Sequence, residues 1–363
     1  MSATTLPDDL AGAEPFCPHY GTCGGCQLQH VSDDAARRWK IERVAQAVSA
    51  RGVPLPGDGI AYVPAEGEGR RRLTLHARRE SGTLAVGYMA ARSHRIAAID
   101  ACPVAIPALR EAPAIVAALA SAAGRFKALD VQLTATATGI DCDLRGLDPA
   151  PEQRSALAAM ADRHDLARLT LDGEPLALRR QPVVRMGRAA VALPPQSFLQ
   201  ATEQGEIELA RRVSAACDGA RRVADLFCGV GPFALRLAET VPVLAHDADA
   251  TAIQALRQAA ATTPGLKPVA AQPRDLFRHP LGQQELQAVD AVVFDPPRQG
   301  AEAQARALAR SRPRSIIAIS CDARSFARDA GILHDGGFKL TSLTIVDQFR
   351  WTTHIEIAAL FRR

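Results

Sequence analysis

Aromatic side chains are scarce in this chain: 11 Phe, 3 Tyr and 2 Trp among 363 residues. Any stacking against a planar ligand therefore rests on a handful of positions. Long apolar runs are missing too. The longest stretch near the middle, residues 114–123, is far short of the roughly 20 apolar residues that a membrane helix needs. Residues 1–14 are polar and acidic, without the basic head and apolar segment of a secretory signal. A cytoplasmic protein is expected, with no membrane and no obligate protein partner. Neither sign of charge dominates: 43 Lys and Arg against 39 Asp and Glu leave a net charge of +4. That permits a nucleic-acid partner without demanding one. In a reducing compartment the eight cysteines are not expected to pair as disulfides, which leaves metal binding, catalysis and packing. What the chain does have is apolar content, 47% of residues. That is enough to build cores in two domains and to exclude wholesale disorder.

The pattern along the chain divides it in three. Residues 1–51 hold a loose tail, a cysteine-rich segment over 16–30 and a helix over 33–51 with Ser32 as its N-cap. Residues 52–193 read as a mixed α+β region, with alternating strands around 72–77 and 84–88 and helices over 107–123 and 151–164. From Pro194 the pattern changes. Helices over 201–216, 231–239, 249–261, 301–310 and 323–335 alternate with apolar strands over 222–227, 241–245, 289–294 and 314–320. Two late strands, 338–346 and 354–361, follow. The alternation predicts an α/β, doubly wound parallel sheet with an antiparallel edge over 194–363.

Three of these strands end in chemistry, at the carboxyl edge where open α/β sheets bind their ligands. The first ends in Asp225 and the turn Cys228-Gly229-Val230-Gly231. Its glycines allow close approach of a cofactor, and Asp247 after the next strand is placed to accept from ribose hydroxyls. The third glycine of a dinucleotide fingerprint is absent, since Ala234 stands there. On this motif alone a dinucleotide and adenosylmethionine both remain open. The second strand ends in Asp295-Pro296-Pro297-Arg298, a rigid exposed loop. The third ends in Cys321-Asp322. A nucleophilic thiol needs a lowered pKa, and Arg324, Arg328 and the following helix N-terminus are placed to lower it. A lone buried cysteine is just as commonly a packing residue. Near the C-terminus His354 and Glu356 stand two apart, hence on one strand face, where a carboxylate can serve as a general base. Finally, Cys17, Cys23 and Cys26, with Cys102 before a proline, can hold zinc or an iron–sulfur cluster. The compact three-plus-one spacing favours a [4Fe–4S] cluster. Cys142, Cys217 and Cys228 read as packing residues.

Together these motifs resemble the adenosylmethionine-dependent RNA (uracil-5)-methyltransferases, especially the iron–sulfur branch acting on large-subunit ribosomal RNA. The resemblance implies a Rossmann-like class I methyltransferase domain, an N-terminal cysteine-cluster segment and a mixed α+β RNA-binding region. It implies Cys321 as nucleophile and Glu356 as base. Gln200, Phe227, Gly229, Gly231, Asp247, Asp275 and Asp295 become cofactor contacts, and Cys17, Cys23, Cys26 and Cys102 become ligands of a [4Fe–4S] cluster. The chain departs from the family pattern at Pro232 (Asn), Asp247 (Glu), Asp322-Ala323 (Asn-Pro) and Arg350-Trp351 (Pro-His). Cys17 follows closely on Met1, so no N-terminal β-barrel module is expected. RNA grip is assigned to the middle region, with Arg70-Arg71-Arg72 and Arg78-Arg79 as phosphate contacts. Three rivals stand beside this reading. One is a transfer-RNA target, another an amino-group methyltransferase using Asp295-Pro296-Pro297, and the third an RNA-binding relative without activity.

Overall fold

The computed structural model describes residues 12–80 and 82–363; the loose tail expected at the N-terminus lies largely outside them. The chain forms two compact units. One holds the segment up to Ala36, Gly67–Val184 and Arg350–Thr353; the other holds Arg37–Glu66, Arg185–Phe349 and His354–Arg363.

The second unit is built on an eight-stranded sheet. Its order is Ala61–Pro64, Lys339–Asp347, Ile357–Arg362, Ser315–Ser320, Ala291–Phe294, Val223–Leu226, Val243–Asp247 and Val269–Pro273. The strands Val223–Leu226, Ala291–Phe294 and Ser315–Ser320 are buried at every position. That is why they read as unbroken apolar runs: a parallel strand covered on both faces has no solvent side to alternate toward. Helices Glu203–Ala216, Ala250–Thr262 and Ala323–Asp335 begin at Thr202, Asp249 and Asp322. Each of these side chains accepts a backbone N–H of the first turn. Asp322 thus serves the helix after Cys321 rather than the thiol itself. Phe294, Phe338 and Phe361 lie in the core.

The expected boundary at 51/52 does not match these units. Ala61–Pro64 pairs in parallel with Lys339–Asp347, about 280 residues later, so 37–66 folds with the C-terminal sheet. A pairing of that span leaves no local periodicity to read.

The first unit holds a seven-stranded sheet in the order Ile96–Ala98, Thr83–Met89, Arg72–Glu80, Leu129–Thr136, Gly139–Arg145, Leu166–Leu171 and Glu174–Leu178. Helices Ala112–Ala122 and Pro151–Arg163 pack with it over a core containing Leu75, Leu119, Leu133, Leu144 and Cys142. Alternation buries Leu73, Leu75 and Ala77, and it also corrects the reading of the arginine triplet. Arg71 is buried, and burial lowers the pKa of Arg72. Arg70 lines a pocket of cysteines. The triplet is therefore no exposed phosphate-binding strip. Arg79 is exposed and lies 5.9 Å from the centre of the Phe126 ring. Among the described residues no helix is long and apolar enough to cross a membrane.

Candidate active site and cysteine pocket

Strand register assembles the site. Phe294 pairs with both Leu226 and Ala318, so Asp295 leaves its strand beside Phe227 and donates its backbone N–H to Leu226 O at 3.2 Å. Ser320 pairs with Ile357 in antiparallel sense. Cys321 is the residue after Ser320 and Glu356 the residue before Ile357, so the register sets thiol and carboxyl side by side. On the other flank Phe227 and Cys228 donate backbone N–H groups to His246 O at 2.8 and 3.1 Å. Gly229 donates to Asp247 Oδ2 at 2.9 Å. Phe227, Gly229 and Gly231 all have positive φ (63°, 50° and 94°). A Cβ on Gly231 would strike the Leu256 side chain, whereas one on Gly229 would meet nothing within 4 Å. Gly231 closes a packed turn, and Gly229 leaves open space at the strand ends.

Buried acids dominate the electrostatics. Burial raises Asp225 well above the ordinary carboxylate range, and Asp295 and Asp247 add to it, with the Ala234 N–H offsetting only part. Neither Asp225 oxygen has a hydrogen bond of normal geometry among the described residues. Burial, then Asp247, pushes Asp295 up to about 7. Burial, then Asp295, pushes Glu356 up to about 8, while a hydrogen bond from Gln348 pulls the other way. A cluster of carboxyls that raise one another's pKa favours a cationic ligand.

The thiol does not behave as the arginine spacing led us to expect. Burial, Glu356 and Asp295 push Cys321 up to about 11, and Arg298 opposes them only weakly. Arg328 is turned away to Asp329 Oδ1 at 2.7 Å and to Gln299 O at 3.0 Å. Cys321 is therefore a neutral thiol at rest, and attack requires its proton to leave.

The predicted pairing of His354 with Glu356 also changes. The strand begins only at Ile357, and His354 is exposed while Glu356 is buried. Asp275 accepts N–H groups of Phe277 and Arg278 at 3.0 and 3.2 Å. It shapes a turn whose Phe277 ring lies 5.4 Å from that of Phe227. Two side chains not assigned from the sequence belong to the site. Gln348 donates to Glu356 Oε2 at 3.0 Å and to Gln200 Oε1 at 2.7 Å. Asp225 is the buried acid at the centre of the cluster; its place just before the glycine turn was the one visible signal.

In the first unit Cys17, Cys23, Cys26 and Cys102 line a single small cavity of about 30 Å³ together with Tyr20, Gln29, Arg70 and Tyr88. Among the described residues no three His, Cys, Asp or Glu side chains stand close enough to hold a single metal ion. Burial raises the Cys23 thiol and pushes Cys26 up to about 11, and Arg70 pulls both down. Arg70 Nε is buried without a partner among the described residues, and Gln29 Nε2, beside Cys26, lacks a hydrogen bond of normal geometry. Two buried donors among the residues lining the thiols, both lowering the Cys26 pKa, suit an anionic occupant.

Comparison with known proteins decides the family. Residues 268–363 match the family model described as tRNA (Uracil-5-)-methyltransferase. An uncharacterized RNA methyltransferase of Caulobacter vibrioides is 42% identical over 96% of this chain and 86% of its own length. A Chromohalobacter salexigens protein, 23S rRNA (uracil(1939)-C(5))-methyltransferase RlmD, is 32% identical over 97% of this chain and 76% of its own length. The chain belongs to the adenosylmethionine-dependent RNA (uracil-5)-methyltransferase family. The fold agrees. The solved tRNA (uracil-54, C5)-methyltransferase of Pyrococcus abyssi, with S-adenosyl-L-homocysteine bound, superposes with a TM-score of 0.73 at 20% identity. That match covers 94% of this chain and 86% of the other.

This methyltransferase uses one departure from the family pattern as a fastening. Arg350 pairs with Asp33 and lies 5.3 Å from the centre of the Trp351 ring. Trp351 O accepts the N–H groups of Gln27 and Leu28 at 2.9 and 3.0 Å, and its ring meets Phe16 at 5.2 Å. Arg350-Trp351 thus anchors the cysteine segment of the first unit.

Proposed function

We propose that this enzyme methylates carbon 5 of a uridine in large-subunit ribosomal RNA by covalent catalysis, with Cys321 as nucleophile and Glu356 as base. The observation that carries the reading is the Ser320–Ile357 register, which sets the residue after Ser320, Cys321, beside the residue before Ile357, Glu356. The ribosomal target rests on the 32% identity to the ribosomal RNA enzyme. An amino-group methyltransferase would give neither Cys321 nor Glu356 a task. A ribosomal target also places the work in the cytoplasm.

Uracil C5 is a weak nucleophile. When the Cys321 sulfur bonds to C6, its proton passes to the neighbouring Asp295 carboxylate, and electrons from the C5=C6 bond collect on C5 and the O4 carbonyl. The carboxyl groups of Asp225, Asp247 and Asp295, with the Gly229–Gly231 turn, suit a ligand carrying a positive sulfonium and ammonium. Adenosylmethionine held there would supply an electrophilic methyl group to C5, its sulfonium becoming a neutral thioether. Glu356 then takes the C5 proton; the C5–H pair re-forms the double bond and the C6–S bond breaks, returning sulfur to Cys321. The base must be ionised for this step, so turnover is expected to rise with pH through the neutral range. A target inside folded RNA must leave its stack to reach the strand ends.

Guanidinium groups beside the nucleophile suit the flanking phosphates. Arg51, Arg298, Arg324 and Arg328 line one open pocket with Gln299, Asp322 and Ser325. Burial lowers the Arg43 pKa, and the nearby charges of Arg324 and Arg298 lower it further against Asp322. Joint replacement of Arg51 and Arg324 by glutamate is expected to weaken RNA binding at least tenfold and leave adenosylmethionine affinity unchanged. The slope of log affinity against log salt should fall by about 0.7–0.9 for each phosphate that is no longer neutralised. Filter binding across a salt series checks this; an unchanged slope places the phosphates elsewhere.

The four cysteines fit a [4Fe–4S] cluster better than a single ion, because they surround a cavity instead of converging on a point. Cys17, Cys23, Cys26 and Cys102 would be its ligands, with Arg70 and Gln29 as N–H donors to its sulfur. Such a cluster ties the N-terminal segment to the rest of the first unit. Protein prepared without oxygen is expected to contain about four irons and four labile sulfides and to absorb broadly in the visible. Cys26→Ser should lose both. Iron-free wild type from the same preparation would remove the cluster from this reading.

A further inference from the structure

We propose that Gln348 is a positioning residue whose single buried carboxamide orients both the Glu356 carboxylate and the Gln200 amide. The inference rests on the proposed C5 methylation and adds a residue to it.

The amide has no freedom to flip. Gln348 is 2% exposed. Its Oε1 accepts the backbone N–H of Thr202 at 3.3 Å, a partner that can only donate. Its Nε2 faces Glu356 Oε2 at 3.0 Å, an acceptor whenever the carboxyl is ionised. Opposite partners on the two ends of the amide fix which end is oxygen. The second hydrogen on Nε2 goes to Gln200 Oε1 at 2.7 Å. Gln200 is thereby turned with its oxygen toward Gln348.

The surroundings hold this amide in place. A Cβ on Gly205 would lie 2.7 Å from Gln348 Oε1 and 2.8 Å from its Cβ, so the start of the Glu203–Ala216 helix makes room for it. The preceding residue, Asp347, takes both of its oxygens to Lys40 Nζ at 2.8 Å and also accepts from Tyr62 and from the Phe349 N–H. Lys40 and Asp347 are 0% and 1% exposed. A buried, hydrogen-bonded ion pair of this kind fixes the turn that carries Gln348.

The consequence falls on the last step. Beside burial, the charged group that acts on Glu356 is Asp295, and it disfavours the carboxylate; the Cys321 thiol also faces Glu356 and is itself raised by it. Gln348 supplies the hydrogen bond that favours the carboxylate. Without that bond the base ionises at higher pH, the C5 proton leaves slowly, and the C6–S bond persists.

Gln348→Met keeps the volume and removes the amide. Its rate–pH profile is expected to move alkaline by about one unit, with kcat at pH 7 falling about tenfold or more. Denaturing gels should show a protein–RNA adduct that wild type does not accumulate. Gly205→Ala, which displaces the amide without deleting it, should shift the profile in the same direction by less. Unchanged melting temperatures establish that both variants are folded. A uniform loss of rate with an unmoved pH profile and no adduct would overturn the positioning role. Failure of the underlying reading looks different: wild type itself would then make a product other than 5-methyluridine.

Discussion

Cys321→Ala is expected to abolish methyl transfer to RNA, by on the order of 10⁴-fold or more, while leaving the fold and cofactor binding intact. The thiol is half-buried at a strand end, so losing one sulfur atom costs little packing. Its chemical loss is total, because C5 becomes nucleophilic only after a bond forms at C6. The comparison to make is labelled methyl transfer by variant and wild type at equal occupancy of adenosylmethionine. Activity within tenfold of wild type would mean that no covalent step takes place.

Glu356→Gln is expected to do something different: form the adduct and fail to release it. The glutamine preserves shape but cannot take the C5 proton, so release should slow by about 10²–10⁴-fold. A denaturing gel should then show a protein–RNA band that Cys321→Ala lacks. Stability should change in the opposite direction from activity. The folded-state pKa of Glu356 is raised to about 8 by burial and Asp295, so between its unfolded value and that pH the folded protein binds more protons than the unfolded one. Its contribution is full at low pH and is lost as pH rises through this window. Removing the ionisable group should therefore stabilise the cofactor-free protein above pH 8, by a few kcal/mol, and change little near pH 4. Thermal melts of both forms at the two pH values test this. A variant less stable than wild type at pH 8 would show that the carboxylate is already well satisfied.

The parts of the site legible in the sequence were those carried by strand ends. Asp295 and Cys321 each follow directly on a fully buried parallel strand whose apolar run stops there. What the sequence hid depends on partners far away. Ala61–Pro64 makes sense only beside Lys339–Asp347. Gln348 is a single polar residue in a turn until its bonds to Gln200 and Glu356 are seen. The arginine triplet misled for a related reason: a basic run suggests a charged surface, but a strand sends alternate side chains inward, and Arg71 is one of them. The thiol misled because helical spacing placed Arg324 and Arg328 near it, whereas the structure engages Arg328 with Asp329 and surrounds the sulfur with carboxyls.

Nucleoside mass spectrometry of the product tests the central claim most directly. Unmodified ribosomal RNA and transfer RNA would be incubated separately with the wild-type protein and labelled adenosylmethionine, then digested to nucleosides. The expected result is label in 5-methyluridine from ribosomal RNA alone. The same nucleoside from transfer RNA would keep the chemistry and change the substrate. Label in any N-methylated nucleoside, with none in 5-methyluridine, would contradict catalysis by Cys321 and Glu356 and return the Asp295-Pro296-Pro297 loop to the centre of the reaction.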